Sequence, residues 1–411
     1  MLIKRILISN YKTIEKAELD LDPGITILYG PNSAGKSSIL DAITLITRCT
    51  YGVGKIETGI EGIAKLINKY ALKNKKKASI RIESHINILG EVRKIGLEIG
   101  VHKELEEVPV FWNFTFEDDK GAEILHVYDY KEGAYTIVEK ARRIIKAKHP
   151  LLEDRSLLDS HYYEDLEVEK ECNNLYKTAR KLDELFRTEK EVYIGEDKRK
   201  FLSNILTRIK SFVSREKILE EIHELLIESL QYGRTLLEDF IRSMNHIVSD
   251  VFIIEDIKYI GETRWKISSI IEGSEKSIEL PLIQLSDGML RLMYILLKIL
   301  SIDYYASNRL GDILEGLGKK ESLSPMILIE GLDCNVHVDW LINFLDWFKY
   351  RRPKVQLCIE THSGLMLSGA LKYGYRAYYI KEGKAYRVDK ERLSDVDLFE
   401  REVKVRRDLL S

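Results

Sequence analysis

The sequence predicts an α/β fold in which helices cover a central mixed sheet that carries a glycine-rich loop. Three observations predict it. An apolar, β-branched run at 25–29 leads into the glycine-rich loop, and apolar residues at helical spacing follow the loop. Bare apolar runs at 326–329 and 355–359 are typical of strands buried on both faces of a sheet. The charged stretch between the loop and these runs has helical periodicity, which predicts an inserted helical lobe.

The glycine-rich loop spans residues 30–38 and reads GPNSAGKSS. It matches G-x-x-x-x-G-K-S, a pattern whose backbone N–H groups and helix N-terminus bind phosphates. Gly30 and Gly35 let the backbone approach an anion closely, because glycine has no Cβ. Lys36 adds a mobile cation, and the Ser37 hydroxyl is a ligand for Mg²⁺. The competing interpretation is a glycine turn before an ordinary helix, and the strand–loop–helix context disfavours it.

Residues 1–134 are predicted to form the N-terminal part of the main lobe, with an antiparallel β-subdomain. Strand-like runs precede the loop at 2–8 and 17–21, with a turn at 22–24. Helical spacing recurs at 59–73, and an antiparallel meander is predicted over 78–116. A basic cluster lies between them, formed by Lys73, Lys75, Lys76 and Lys77. It fits a solvated loop or a contact to a phosphate backbone.

Residues 135–249 are predicted to form the inserted helical lobe, because apolar residues recur there at intervals of three and four. The three stripes are Leu175, Ala179, Leu182 and Phe186; Phe201, Ile205, Ile209 and Phe212; and Ile218, Ile222, Leu225 and Leu226. Each stripe is short, which excludes a long coiled coil with sustained heptads.

Residues 250–411 are predicted to complete the main lobe. Strand-like runs at 251–283 precede a helix at 286–300. A second helix is predicted at 340–350, between the two bare apolar strands. Near the C-terminus, strand-like runs flank residues 382–383 and predict a hairpin.

Composition narrows the class of protein. A chain of 411 residues exceeds what one hydrophobic core usually supports, so two lobes are expected. The net charge of −2 excludes a globally basic nucleic-acid binder. The four cysteines are not paired at metal-ligand spacing, which favours a reducing, cytoplasmic location and argues against a zinc site. No apolar run has the roughly 18 residues of a membrane span, so no membrane partner is expected.

Four features downstream of the loop are candidates for binding an anion, a metal ion or a phosphate. Residues 285–289, LSDGM, open a helix and combine a serine hydroxyl with a glycine backbone, which makes a second anion site or an ordinary N-cap. Glu330 ends one buried strand and is placed to reach a Mg²⁺ held by Ser37. Asp333 lies just beyond it. His362 follows the second buried strand, where it either contacts a γ-phosphate or serves packing alone.

These motifs resemble the ABC-type ATPase heads of the SMC/RecF/RecN/OLD group, and most closely its stand-alone prokaryotic members. Residues 7–14 resemble that group's N-F-K-S opening, and 30–38 match its Walker A motif. Residues 285–288 match its LS-x-G signature, 327–330 its Walker B motif, and 361–363 its switch-histidine motif. The resemblance covers both ends of the chain, roughly 1–48 and 280–388, and leaves the middle unmatched.

The resemblance implies a P-loop ATPase that binds ATP and Mg²⁺ and closes into a head-to-tail homodimer around the nucleotide. Ser37 and Glu330 would hold the metal, His362 would sense the γ-phosphate, and Glu360 or Asp333 would orient the attacking water. The residues that contact ATP would be Gly30, Pro31, Asn32, Ser33, Ala34, Gly35, Lys36, Ser37 and Ser38, together with Ser286, Asp287 and Gly288 of the other subunit. Such heads usually serve DNA repair, chromosome maintenance or defence, beside DNA or a nuclease.

Two departures from the family pattern keep the function open. Gly331 stands where the family usually has a second carboxylate after Walker B, and no glutamine lies between the Walker A helix and Gln231 to form a Q-loop. The first hypothesis is an ATPase. Because Gly331 replaces the usual carboxylate, the alternative is a nucleotide-gated interaction module that hydrolyses little or no ATP. A P-loop kinase or GTPase is disfavoured, because a guanine-reading N-K-x-D is not evident.

Overall fold

The computed structural model describes residues 2–21, 23–50, 78–88, 91–101, 110–118, 121–128, 206–211, 213–231, 234–248, 252–259, 265–271, 277–316 and 325–389. The described strands are β1 (Leu2–Tyr11), β2 (Ile14–Asp20), β3 (Ile25–Tyr29), β4 (Ala78–Ile88), β5 (Glu91–Val101), β6 (Val110–Asp118), β7 (Gly121–Tyr128), β8 (Leu206–Ile209), β9 (Phe252–Tyr259), β10 (Trp265–Ile271), β11 (Ser277–Pro281), β12 (Met326–Ile329), β13 (Gln356–Thr361), β14 (Arg376–Lys381) and β15 (Lys384–Arg387). The described α-helices are α1 (Lys36–Thr50), α2 (Arg215–Gln231), α3 (Arg234–Val248), α4 (Asp287–Gly316), α5 (Val338–Arg351) and α6 (Gly364–Tyr373).

One 12-stranded sheet organises the molecule, in the order β7-β6-β5-β4-β1-β2-β15-β14-β3-β13-β12-β8. Its last five strands, from β14 to β8, pair in parallel. Every residue of β3, β12 and β13 is buried, as expected for strands that helices cover on both faces. This parallel part brings the carboxyl ends of β3, β13 and β12 to one edge, which is where ligands bind in open α/β sheets.

The antiparallel part of the sheet confirms the predicted meander. β1 pairs with both β2 and β4, and β4 to β7 follow one another as antiparallel neighbours. The meander extends to Tyr128, beyond the predicted limit at 116. The strand-like runs at 251–283 form a separate three-stranded antiparallel sheet, β11-β10-β9.

The α/β fold class is confirmed, but the helical stripe predicted for Phe201, Ile205, Ile209 and Phe212 is wrong at Ile209, the one residue of the four that the structure describes. Leu206–Ile209 forms β8, which pairs in parallel with β12. Thr207 and Ile209 are buried in alternation with their neighbours, which is the period of a strand. A spacing of four residues, as between Ile205 and Ile209, satisfies both the helical period and the strand period, so the stripe alone did not distinguish them. The stripe of Ile218, Ile222, Leu225 and Leu226 is helical, as predicted, and buried in α2.

The helices α2, α3 and α4 share one hydrophobic core with the parallel strands. Ile222 of α2, Phe240 of α3 and Ile295 of α4 are fully buried in the same cluster as Ile327 of β12 and Ile359 of β13. The described residues between 206 and 248 therefore belong to this core: β8 is a strand of the main sheet, α2 and α3 both pack on α4, and α3 also packs on α5 and β9. The domain limits at 134 and 249 remain a prediction.

Several predictions lie outside the described residues. They are the helix at 59–73, the cluster of Lys73, Lys75, Lys76 and Lys77, the stripe from Leu175 to Phe186, and Phe201, Ile205 and Phe212. The Glu382–Gly383 turn between β14 and β15 is described, and both of its residues have positive φ, as the predicted hairpin requires. Within the described segments, every helix is too short or too polar to cross a membrane.

Candidate functional site

The glycine-rich loop connects the buried strand β3 to the N-terminus of α1, as predicted. Gly30 has φ of 153°, and a Cβ there would lie 2.3 Å from the carbonyl oxygen of Ile380 in β14. Only glycine allows the loop to leave the sheet this close to a neighbouring strand. Pro31, Asn32 and Ser33 are exposed at the tip of the loop, so their backbone groups are open to a ligand.

Lys36 lies under the loop and is almost fully buried, with 3% of its surface exposed. Its Nζ donates hydrogen bonds to the carbonyl oxygens of Gly30 and Pro31, both at 2.9 Å. Burial lowers the pKa of the Lys36 ammonium, and the carboxylates of Glu360 and Asp333 oppose this change. A partly desolvated cation inside a ring of backbone groups is suited to bind phosphate oxygens.

The Ser37 hydroxyl bonds to Glu360, the last residue but one of β13. It lies 2.9 Å from Oε2 and 3.2 Å from Oε1 of that carboxylate. Oε1 of Glu360 also lies 3.9 Å from Nζ of Lys36. Burial raises the pKa of the Glu360 carboxyl, while the hydrogen bond from Ser37 and the charge of Lys36 oppose the rise. The loop and the end of β13 therefore place a hydroxyl, a carboxylate and an ammonium close together.

Glu330, which follows β12, has a different partner. Nε and Nη2 of Arg208 in β8 both lie 2.5 Å from its Oε1. Arg208 also bonds to Asp41 of α1, and Asp41 in turn bonds to Lys12. Burial alone would raise the pKa of the Asp41 carboxyl, but the hydrogen bonds and charges of Lys12 and Arg208 outweigh it and lower that pKa. The Walker B carboxylate is thus the end of a four-residue ionic chain.

Asp333 and His362 come together between the ends of β12 and β13. Oδ2 of Asp333 accepts a hydrogen bond from the backbone N–H of His362 at 3.1 Å. Oδ1 of Asp333 is buried and has no hydrogen-bond partner in the structure. The residue His362 itself is exposed. Oδ1 of Asp333 is therefore an unpaired buried acceptor, and the imidazole of His362 lies at the surface.

The oxygen atoms at this edge fit Mg²⁺ in type and number. Ser37 supplies a hydroxyl, and Glu360 and Glu330 supply carboxylates. In the described part of the chain, no group of three or more His, Cys, Asp or Glu side chains is arranged to hold a metal alone. Mg²⁺ in nucleotide sites is usually bound by one or two carboxylates together with substrate phosphates and water, so a complete protein cage is not required.

A family model described as an AAA ATPase domain matches residues 1–367 of this chain. The chain belongs to the AAA ATPase domain family. The matched range includes the glycine-rich loop, the LS-x-G segment, Glu330 and His362. The predicted resemblance to SMC/RecF-type ATPase heads is confirmed at the level of the family.

Curated relatives match short segments. The RecF DNA replication and repair protein of Phocaeicola vulgatus is 38% identical over 58 residues, which cover 14% of this chain and 16% of that protein. RecF of Erwinia tasmaniensis is 49% identical over 43 residues, covering 10% of this chain and 12% of RecF. The Rad50 double-strand break repair ATPase of Halobacterium salinarum is 40% identical over 58 residues, covering 14% and 6%. The chain thus spans less than a fifth of each of these relatives.

Among solved structures, an SMC head bound to the C-terminal winged-helix domain of ScpA covers 96% of this chain and 100% of its own, at 14% identity and a TM-score of 0.42. The SMC head domain of Thermotoga maritima covers 95% and 99%, at 13% identity and a TM-score of 0.40.

The signature segment of this AAA ATPase domain lies at the N-terminus of α4. Ser286 is exposed, and its Oγ accepts a hydrogen bond from the N–H of Met289 at 3.3 Å, so it caps the helix. Asp287 is paired with Arg215 of α2. Among the described hydrogen bonds and ion pairs, none joins Ser286 or Asp287 to the glycine-rich loop of the same chain. Within the described residues, the LS-x-G segment and the glycine-rich loop are therefore not joined by a hydrogen bond or an ion pair.

Sequence reasoning missed Arg291, one turn further along α4. Arg291 is buried, with 4% of its surface exposed. Nη1 donates to the carbonyl oxygens of Lys210 and Ser211 at 3.2 and 3.0 Å, and Nη2 to those of Glu330 and Gly331 at 2.6 and 3.1 Å. Arg291 therefore ties the signature helix to the segments that follow β8 and β12. Its signal in the sequence was a single charge within the otherwise apolar stretch 288–297.

The structure brings together Lys36, Ser37, Glu360, Asp333 and His362 at one edge, and their roles at a nucleotide remain a prediction. It places Glu330 beside them but bonds it to Arg208, and it bonds Ser37 to Glu360. Arg208 was missed as well, because its partners are distant in sequence and its own segment was predicted to be helical.

Proposed function

We propose that this chain binds ATP with Mg²⁺ and hydrolyses it to ADP and phosphate, and that nucleotide binding closes a head-to-tail homodimer. The observation that carries the proposal is the convergence of Lys36, Ser37 and Glu360 under the glycine-rich loop. Membership of the AAA ATPase domain family supports it.

Each part of the site has a role in this proposal. The loop of residues 30–38 and the ammonium of Lys36 bind the phosphates. Ser37 holds Mg²⁺ together with a carboxylate. The sequence predicts Glu330 for this carboxylate, whereas Glu360 is the carboxylate that is hydrogen-bonded to Ser37. The metal supplies charge neutralisation of the phosphates. His362 contacts the γ-phosphate.

Dimer closure accounts for the separation of the glycine-rich loop from the LS-x-G segment. Ser286 and Asp287 are exposed at the positive end of α4, where backbone N–H groups favour an anion. In a head-to-tail dimer, the signature of one subunit would contact the γ-phosphate held by the loop of the other. The phosphate would then gain charge-assisted hydrogen bonds only on closure, so that ATP favours the dimer.

The biological setting follows from the named relatives. RecF and Rad50 are repair proteins by name, and their similarity to this chain supports a role in DNA repair or chromosome maintenance. DNA or a nuclease is the proposed partner, and a defence role and a cytoplasmic location remain predictions.

A second candidate function is a nucleotide-gated interaction module with little hydrolysis. Gly331 favours it, because glycine cannot polarise a water molecule where the family usually has a carboxylate. The ion pair between Arg208 and Glu330 favours it as well, since it already engages the carboxylate that follows β12.

Light scattering and a phosphate-release assay on the same sample test the proposal. With ATP and Mg²⁺ the mass of the wild type is expected to double and phosphate release to be steady. Lys36→Ala is expected to abolish both. Lys217→Ala, which removes an exposed lysine of α2, is the matched control and should change neither. Dimerisation without phosphate release over hours would select the second candidate, and turnover that survives both Lys36→Ala and Ser286→Arg would refute the site.

A further inference from the structure

We propose that Glu360, and not Glu330, is the protein carboxylate that coordinates the Mg²⁺ of the nucleotide. The inference rests on the proposed ATP site and replaces the sequence prediction for one of its ligands. Glu330 then serves as a positioning residue, because its ion pair with Arg208 links β12 to β8 and α1.

The order of the strands places Glu360 closer to the phosphate loop. β13 is the direct neighbour of β3, and Glu360 stands opposite Leu28, two residues before the loop begins. β12 is one strand further away, and Ile329, which precedes Glu330, stands opposite Ile359. The two glutamates are therefore at the same level, and the backbone of Glu330 lies one strand spacing, about 4.8 Å, further from β3.

The distance between Ser37 and Glu360 matches the separation of two neighbouring ligands of Mg²⁺. Octahedral Mg²⁺ holds its oxygen ligands at about 2.0–2.1 Å and at right angles, so adjacent ligand oxygens lie about 2.9 Å apart. Oγ of Ser37 lies 2.9 Å from Oε2 of Glu360. These two oxygens could therefore both serve as ligands, with the Ser37 hydroxyl hydrogen turned away from Glu360, without a shift of α1 or β13.

The charges point the same way. Two nitrogens of Arg208 already bind Oε1 of Glu330, so a metal at Glu330 would share its carboxylate with a largely buried guanidinium of the same charge sign. Glu360 has no such competitor. Its nearest cation, Lys36, is 3.9 Å away and donates to two carbonyl oxygens instead.

Assigning Glu360 to the metal leaves Asp333 as the carboxylate that orients the attacking water. Oδ1 of Asp333 is buried without a hydrogen-bond partner, while Oδ2 is fixed by the N–H of His362. The free oxygen has the acceptor capacity that this role requires.

Mn²⁺ binding, followed by the electron paramagnetic resonance signal of the free ion, tests the inference without turnover. The titrations use full-length protein saturated with a non-hydrolysable ATP analogue, in the wild type, Glu360→Gln, Glu330→Gln and Glu220→Gln. Glu220 lies on the surface of α2, so its variant controls for the loss of one charge. We expect Glu360→Gln to weaken Mn²⁺ binding at least about tenfold. The loss in Glu330→Gln should be much smaller, and Glu220→Gln should match the wild type.

A thiol substitution separates direct coordination from a charge effect. Glu360→Cys is expected to bind Cd²⁺ more tightly than the wild type does and Mn²⁺ less tightly, because thiolates prefer soft metals. Wild-type protein measures the contribution of the native cysteines. Binding of a fluorescent ATP analogue without metal verifies that each variant folds.

The outcomes are distinct. If Glu330→Gln loses Mn²⁺ affinity and Glu360→Gln keeps it, or if both keep it, the inference is wrong while the ATP site stands. If Glu360→Gln loses affinity but Glu360→Cys gains no preference for Cd²⁺, Glu360 is not a direct ligand and the inference is also wrong. If the wild type binds no nucleotide, both the proposed function and this inference are wrong.

Discussion

At the scale of single residues, Arg208 is a largely buried cation that bonds to two carboxylates. Its side chain is 19% exposed and bonds to both Glu330 and Asp41. Burial lowers the pKa of the guanidinium, but the bonds to Asp41 and Glu330 outweigh this and raise that pKa. The carboxylate of Asp41 is therefore stabilised in its charged form by Arg208 together with Lys12.

We expect Arg208→Met to destabilise the protein by about 1–3 kcal/mol, because it leaves two acceptors without their charged donor. The free energy of unfolding in urea, followed by tryptophan fluorescence, measures the effect. Arg242→Met is the matched control, since Arg242 is 72% exposed and pairs with Glu238 one turn away on α3. It should change stability by less than about 0.5 kcal/mol. Equal losses in the two variants would show that the ionic chain contributes nothing beyond an exposed pair.

At the scale of elements, the contact between the N-terminus of α4 and the loop after β12 depends on Gly288. A Cβ on Gly288 would lie 1.9 Å from the carbonyl oxygen of Asn335, which is backbone and cannot rotate away. The signature glycine is therefore required for packing within the subunit, and Arg291 reinforces the same contact with bonds to Glu330 and Gly331. The signature helix and the Walker B segment are joined as one unit.

Gly288→Ala is expected to cost about 1–3 kcal/mol, because the helix or the loop must shift to admit the methyl group. Gly24→Ala is the matched control: its Cβ would lie 3.7 Å from the ring of Tyr375, an ordinary contact, and should have little effect on stability. Urea denaturation of the two variants gives the comparison. A Gly288→Ala protein as stable as the wild type would mean that the two segments do not approach as closely as described.

The elements that were predicted correctly are those whose signal is local. β3, the glycine-rich loop and α1 follow from the order of apolar run, glycines and helical spacing, and β12 and β13 follow from bare apolar composition. β8 was missed because four residues are too few to fix a period. The partners of Arg208, Arg291 and Glu360 could not be predicted, since pairs such as Ser37 and Glu360 are 323 residues apart and meet only through the strand order.

At the scale of the whole molecule, the proposed dimer would account for the separation of the glycine-rich loop from the LS-x-G segment, because each chain would supply one half of each pocket. Ser37 lies beside the carboxyl ends of β3 and β13, whereas Ser286 is exposed at the start of α4. Within the described residues of one chain, no hydrogen bond or ion pair connects the loop to the LS-x-G segment. A two-fold dimer that pairs the loop of each subunit with the signature of the other would form two equivalent pockets. This arrangement predicts complementation between variants that are each inactive.

Mixing Lys36→Ala with Ser286→Arg should restore ATP turnover that neither variant has alone. In the mixed dimer, one pocket combines both defects, and the other combines the intact Lys36 of one subunit with the intact Ser286 of its partner. Random pairing at equal concentrations gives about a quarter of the wild-type number of intact pockets. If only mixed dimers form, because neither variant pairs with itself, the number rises to about half, so turnover between these two fractions is expected if the pockets act independently. The double variant Lys36→Ala/Ser286→Arg, mixed with either single variant, cannot form an intact pocket and should restore nothing. Absence of recovery from two folded single variants would mean that the signature does not act on the nucleotide of the other subunit.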